Sequence, residues 1–162
     1  MSREIEHKFL VTGDPFTSTT RSLHLIQGYL AREGDVSIRI RITDGKHAEI
    51  GVKRRLSPTE RAEFEFPVPL AEAKEMLGDI SGNRVIEKTR HHLPVDNGLT
   101  WEIDVFHGNN SGLILAEIEL PEHDTEFHRP DWLGVEVTED HRYLNNQLAD
   151  HPWPTWNDLS TS

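Results

Sequence analysis

The sequence predicts a mainly β fold (α+β): about eight antiparallel strands with a few helices. Three observations predict it. Apolar and polar residues alternate with a period of two along most of the chain, clearest at Ile38, Ile40 and Ile42 against Ser37, Arg39 and Arg41. Tight-turn signals such as Asp44-Gly45 and Asp96-Asn97-Gly98 separate the alternating runs. The runs are short and mostly joined by these turns, which favours an antiparallel meander. Closure into a barrel would remove its exposed edges.

The elements follow in order. Residues 4–11 form the first strand, with Glu4, Glu6 and Lys8 on one face and Ile5, His7, Phe9 and Val11 on the other. Thr12-Gly13-Asp14-Pro15 is a turn, and residues 16–23 are polar without a clear period. Residues 24–32 read as a strand carrying Leu25, Tyr29 and Leu30, and Glu33-Gly34-Asp35 closes a hairpin. Strands follow at 36–43, 47–54 and 60–68, the last ended by Pro67 and Pro69. Residues 70–77 have helical spacing, with Leu70, Ala73, Met76 and Leu77 as the apolar stripe and Gly78 as the stop. Strands are predicted again at 84–93, 99–106 and 113–120. Residues 121–131 read as irregular or partly helical, 133–138 as a short strand and 139–150 as an amphipathic helix. A proline-broken tail, 151–162, carries Trp153 and Trp156, which are expected to pack on the surface.

The chain has 162 residues, which suits one domain with one core. It is 35% hydrophobic and 28% charged, too apolar for a disordered chain. No apolar run approaches the roughly 20 residues that span a bilayer, and no apolar signal segment opens the chain. The expectation is no membrane partner and a cytoplasmic location. No cysteine is present, which excludes disulfides, thiolate metal sites and cysteine nucleophiles. A net charge of −11 argues against nucleic acid as a partner. The ten histidines form no metal-spaced set, and His91-His92 puts its rings on opposite faces of a strand.

The polar parity of the strands is unusual. It collects Glu4, Glu6, Lys8, Arg39, Arg41, Lys53, Arg61, Glu63, Glu65, Lys88, Arg90, Glu102, Asp104, Glu117 and Glu119, eight acids and seven bases. The polar face of an antiparallel sheet ordinarily meets water, where charges signify little. Here same-sign pairs recur at i, i+2 with few Ser, Thr, Asn or Gln among them, which suggests bound counter-ions. The alternative is an inverted barrel with this face inward. Its apolar faces would then point outward and need covering by helices 70–77 and 139–150. Periodicity alone leaves both arrangements open.

These residues resemble a known family. Residues 4–11, Glu-Ile-Glu-His-Lys-Phe-Leu-Val, resemble the opening Glu-x-Glu-x-Lys signature of the CYTH, or triphosphate tunnel metalloenzyme, family. The resemblance continues in order through Gln27-Gly28-Tyr29-Leu30, Arg39 and Arg41, Lys53, Glu63-Phe64-Glu65 and Glu87-Lys88-Thr89-Arg90. It goes on through Glu102-Ile103-Asp104-Val105-Phe106, Glu117-Ile118-Glu119 and Val137-Thr138-Glu139-Asp140, and covers roughly residues 3–150. It is greatest to the short bacterial members, labelled adenylate-cyclase-like or inorganic triphosphatases. Where many members carry a serine near the C-terminal helix, Tyr143-Leu144-Asn145 stands here.

The resemblance implies an eight-stranded antiparallel closed barrel, a triphosphate tunnel with a charged lumen, and so selects the inverted arrangement. It implies Mg2+ or Mn2+ held by Glu4, Glu6, Glu117 and Glu119, with Asp104 as a further candidate. Lys8, Arg39, Arg41, Lys53, Lys88 and Arg90 would grip phosphate oxygens, and Arg61 joins them by parity. Glu63, Glu65, Glu102 and Asp104 would orient those bases or a water. Tyr29 matches a tyrosine assigned as proton acceptor in short members, although a phenol pKa near 10 is poor for that at neutral pH. The implied function is a metal-dependent phosphohydrolase that removes the terminal phosphate of tripolyphosphate or a related triphosphate by in-line water attack. Alternatives are an adenylate cyclase acting on ATP, a thiamine triphosphatase, and a non-catalytic polyphosphate or nucleotide sensor. A monomer or homodimer is expected.

Overall fold

The computed structural model describes residues 2–82 and 84–156. The last six residues of the expected tail therefore lie outside the described residues. Nine strands form: β1 (Ser2–Val11), β2 (Arg21–Glu33), β3 (Val36–Thr43), β4 (His47–Arg55), β5 (Glu60–Pro67), β6 (Val85–Pro94), β7 (Thr100–Phe106), β8 (Ile114–Leu120) and β9 (Leu133–Glu136). The helices are α1 (Leu70–Met76), which runs into a π turn over Leu77–Ser81, and α2 (Asn145–Asp150).

The sheet order is β5-β4-β3-β2-β6-β7-β8-β1, and β1 pairs with β5 to close eight antiparallel strands into a barrel. β1 is the closing strand. One edge pairs with β8 from Ile5 to Leu10. The other edge is shared: Ser2–Ile5 pair with β5, and Phe9 and Val11 with β9. No single neighbour takes the whole of that edge. Asp44 and Gly45 both have positive φ, 53° and 65°, in the three-residue loop 44–46 that joins β3 to β4.

Alternation sorts the core. The outward residues Phe9, Trp101, Ile103 and Ile118 are fully buried because the chain from Phe127 to Leu133 lies over them. Trp101 meets Phe9, Phe127 and Trp132 edge to face, at ring-centroid separations of 5.7, 5.9 and 5.4 Å. Ile40 and Ile42 are covered by α1 through Ala73. A third cluster lies inside. Ile86, Phe106 and Leu115 share the parity of Lys88, Asp104 and Glu117, and pack with Leu148 and Ala149 of α2. The lumen is thus apolar at one end, where α2 plugs it, and charged along the rest.

Two expectations are corrected here. The helix placed over 139–150 is a 3-10 turn at His141–Tyr143, an extended Leu144 (ψ 137°), and then the six-residue α2. The Leu144 break turns Asn145 and Leu148 into the barrel, so this segment plugs the lumen and does not cover the outer face. The irregular segment 121–132 does that work instead, for β1, β7 and β8. Residues 16–23 resolve into a 3-10 turn at Phe16–Ser18 and the start of β2. Trp153 and Trp156 pack against the α2 cluster as partly buried rings.

Gly28 carries the seat of the π turn. A Cβ there would fall 2.2 Å from Ser81 Oγ and 2.7 Å from Leu77 Cδ2. Gly28→Ala should cost about 1–3 kcal/mol by overpacking, read from urea denaturation. A wild-type midpoint and slope would show that the 77–81 turn yields freely.

Candidate active site

Strand register brings the charged parity together. Lys8 faces Glu117 and Glu6 faces Glu119 across β1 and β8. Glu4 faces Arg61, Lys53 faces Glu63, and Arg90 faces Asp104. The result is one cavity of about 270 Å3, lined by fourteen of the fifteen charged residues predicted from parity. Asp104 is the exception. It lies beneath the wall with no exposure.

The charges are paired in a specific way. Asp104 accepts from Lys88 Nζ at 2.8 Å and from Arg90 Nε and Nη2 at 2.8 and 3.0 Å. Arg90 also donates to Glu102 at 3.1 Å. Arg61 donates to Glu6 at 2.5 Å, and Lys8 lies 3.5 Å from Glu117. Arg39 reaches Glu63 at 3.4 Å by lying across Gly51, where a Cβ would stand 3.3 Å from its Nη2. Taking an ion out of water costs several kcal/mol unless paired, so these pairings are what permit the enclosure.

The acids at the open end are under strain from one another. Burial, with the neighbouring Glu63 and Glu6, pushes the Glu4 carboxyl up to about 9. Burial and the nearby Glu117 raise Glu6, and burial with Glu6 and Glu102 raises Glu119. A hydrogen bond shared with Glu49, then burial, lifts Glu65 to about 8. The bases respond in kind. Burial pushes the Lys88 ammonium down to about 7 against the pull of Asp104, and burial lowers Lys53.

These residues fit a divalent cation. Oε2 of Glu4 and Oε2 of Glu63 are both buried without a hydrogen-bond donor, each 3.7 Å from Lys53 Nζ. A buried carboxylate oxygen without a donor is a place for a cation. The donors are carboxylates alone, the set that hard cations such as Mg2+ prefer. Among the described residues no three acid or histidine side chains are gathered closely enough to hold an ion as they stand. A cation would have to draw Glu4, Glu6, Glu117 and Glu119 inward.

Tyr29 also lines the cavity, and burial raises its phenol. Lining residues beyond the predicted set are Gln27, Ser37, Gly51, Leu144, Asn145 and Asn146. Gln27 and Ser37 share the parity of Tyr29 and Arg39, so alternation held a signal for both. Asn145 and Asn146 carried none, because their place follows from the break at Leu144.

Residues 2–151 match the model of the CYTH domain. The chain belongs to the CYTH domain family. Membership implies dependence on a divalent metal ion. The chain is 42% identical over 153 residues to a protein of Acetivibrio thermocellus named inorganic triphosphatase, covering 94% of this chain and 97% of that one. It is 36% identical over 148 residues to an inorganic triphosphatase of Nitrosomonas europaea, covering 90% and 96%. A crystal structure of an inorganic triphosphatase superposes with a TM-score of 0.69 at 33% identity, covering 92% of this chain and 95% of that one. This CYTH barrel shares its fold with that crystal structure and spans nearly the whole length of all three.

Removing the acid beneath the wall should unfold the site from below. Asp104→Asn leaves Lys88 and Arg90 short of their counter-charge and should cost about 3–5 kcal/mol in chemical denaturation. A loss under about 1 kcal/mol would mean that solvent reaches these bases.

Proposed function

We propose that this protein is a metal-dependent inorganic triphosphatase, hydrolysing the terminal phosphate of tripolyphosphate. The observation that carries the reading is the single cavity with seven bases facing seven acids along a closed barrel. A volume of about 270 Å3 is below the usual range of drug-sized pockets, roughly 300–1,000 Å3. It suits a compact polyanion. A nucleotide would also need an apolar or stacking pocket, and Tyr29 is the one aromatic ring among the described lining residues.

The side chains take these roles. Lys8, Arg39, Arg41, Lys53, Arg61, Lys88 and Arg90 hold the phosphate chain, arginines by paired N–H donors and lysines as point charges. Their fixed charge stabilises the negative charge that spreads over the transferred phosphoryl group. Glu4, Glu6, Glu117 and Glu119 hold the metal, Mg2+ or Mn2+. When bound, the cation supplies electrostatic activation of the phosphoryl group and of the attacking water. Asp104, with both oxygens taken by Lys88 and Arg90, orients those bases. Glu63, Glu65 and Glu102 orient bases and water around them. Tyr29, its phenol raised by burial and bonded to Gln27 at 3.2 Å, serves as a hydrogen-bonding group and keeps its proton. Water attacks the terminal phosphorus in line and pyrophosphate leaves.

Among the described residues no helix is long and apolar enough to cross a membrane. The proposal includes a cytoplasmic monomer or homodimer that takes a small triphosphate and no nucleic acid.

The purified protein with Mg2+ or Mn2+ should release phosphate mainly from tripolyphosphate. Cyclic AMP from ATP, preference for thiamine triphosphate, or tight binding without turnover would each overturn this reading in favour of a different one. Glu6→Ala and Glu119→Ala should each lower kcat by about 100-fold or more while circular dichroism stays that of the folded chain. Full activity in either variant would refute the metal assignment.

A further inference from the structure

Arg41 differs from the other bases of the tunnel. Lys8, Arg39, Lys53, Arg61, Lys88 and Arg90 each have a carboxylate oxygen at 3.7 Å or less. Among the described residues Arg41 has none. Its Nε and Nη2 instead both donate to Oε1 of Gln27, at 2.9 and 2.8 Å. Gln27 is 1% exposed. Its Nε2 donates to Tyr29 Oη and to Asn145 Oδ1, each at 3.2 Å.

Chemistry fixes the direction of this chain of bonds. A guanidinium only donates, so the carboxamide must turn its oxygen to Arg41. Asn145 Oδ1 already accepts from Lys88 Nζ at 2.9 Å, and an ammonium also only donates. Gln27 must therefore turn its nitrogen to Asn145. The Gln27 amide cannot flip without losing bonds at both ends, and a flip of Asn145 would set its NH2 against two donors.

One carboxamide oxygen here accepts from two N–H groups of the guanidinium and so fixes its position, but leaves the charge in place. We infer that Gln27 is a positioning residue that presents Arg41 to the substrate as the uncompensated cation of the tunnel. The claim rests on the triphosphatase reading and deepens it. The six paired bases must share their charge between an acid and a phosphate, whereas Arg41 has only the phosphate. Burial beside Arg39 and Arg90 lowers Arg41 to about 10, which is the cost of leaving such a group without a counter-ion until an anion arrives. Asn145 holds the far end of Gln27, so the docking of α2 belongs to the same device.

The test compares wild type with Gln27→Glu and Gln27→Met. For each, kcat and KM are measured with tripolyphosphate and Mg2+, together with Tm with and without tripolyphosphate. Gln27→Glu keeps the length and adds the missing acid. It should raise KM by about tenfold or more, the scale of one hydrogen bond to a charged group, with a smaller change in kcat. Its Tm without ligand should hold or rise, since a buried cation gains a partner, and the Tm rise on adding tripolyphosphate should shrink. A merely structural glutamine would not combine kept stability with lost affinity. Gln27→Met should raise KM and lower Tm together. A wild-type KM and a wild-type ligand-induced Tm shift in Gln27→Glu overturn the inference; should that variant fail to fold, the same result in Gln27→Met does so. Wild type that shows no turnover overturns the triphosphatase reading alone, because the ligand-induced Tm shifts still decide the role of Gln27.

Discussion

Closing a barrel around charged side chains requires that most of them meet an opposite charge on a neighbouring strand. This constraint organises the molecule. An unpaired ion in such a place costs several kcal/mol, more than a small domain can lose repeatedly. Register meets the constraint by setting Lys8 against Glu117, Lys53 against Glu63 and Arg90 against Asp104. Glu6 and Glu119, set acid against acid by register, have carboxyls raised by burial first and by neighbouring acids second. On the proposed reading, that residual imbalance is the place for a cation, and Arg41, held by an amide, is the place for an anion. Binding is then the completion of a charge balance that folding leaves unfinished.

Turning the charged face inward exposes the apolar one, and the fold covers it piecemeal. Segment 127–133 lies over Phe9, Trp101 and Ile118, and α1 lies over Ile40 and Ile42. The remaining device is the C-terminal segment. Val137 N donates to Lys8 O, Lys8 Nζ to Tyr143 O, and Lys88 Nζ to Asn145. The chain after β9 thus orients two of the tunnel lysines at their tips. Its plug of Leu148 and Ala149 packs against Ile86, Phe106 and Leu115 at one end of the lumen. The low-dielectric surroundings make the ion pairs there strong and their loss costly.

The strands were legible because their signal is local. A period of two shows in any five or six residues, and Asp44-Gly45 announces its own turn. The charged parity was legible for the same reason, and fourteen of its fifteen members line the cavity. Asp104 was legible as a charge but not as a buried one, since its place under Lys88 and Arg90 depends on strand β6 passing alongside. Gln27 stood in the alternation beside Tyr29, but its bond to Arg41 was not legible, because it depends on β3 passing alongside β2.

What the sequence determined by itself was the set of strands, the two faces of each and the kind of chemistry one face could do. These depend on neighbours one or two residues away. Tertiary structure decided which face turned inward, how acids met bases, and that residues 139–150 enter the barrel by breaking at Leu144. Each of those is a contact between segments far apart in the chain, chosen by charge pairing and by the need to close both edges of β1, and no local pattern contains it.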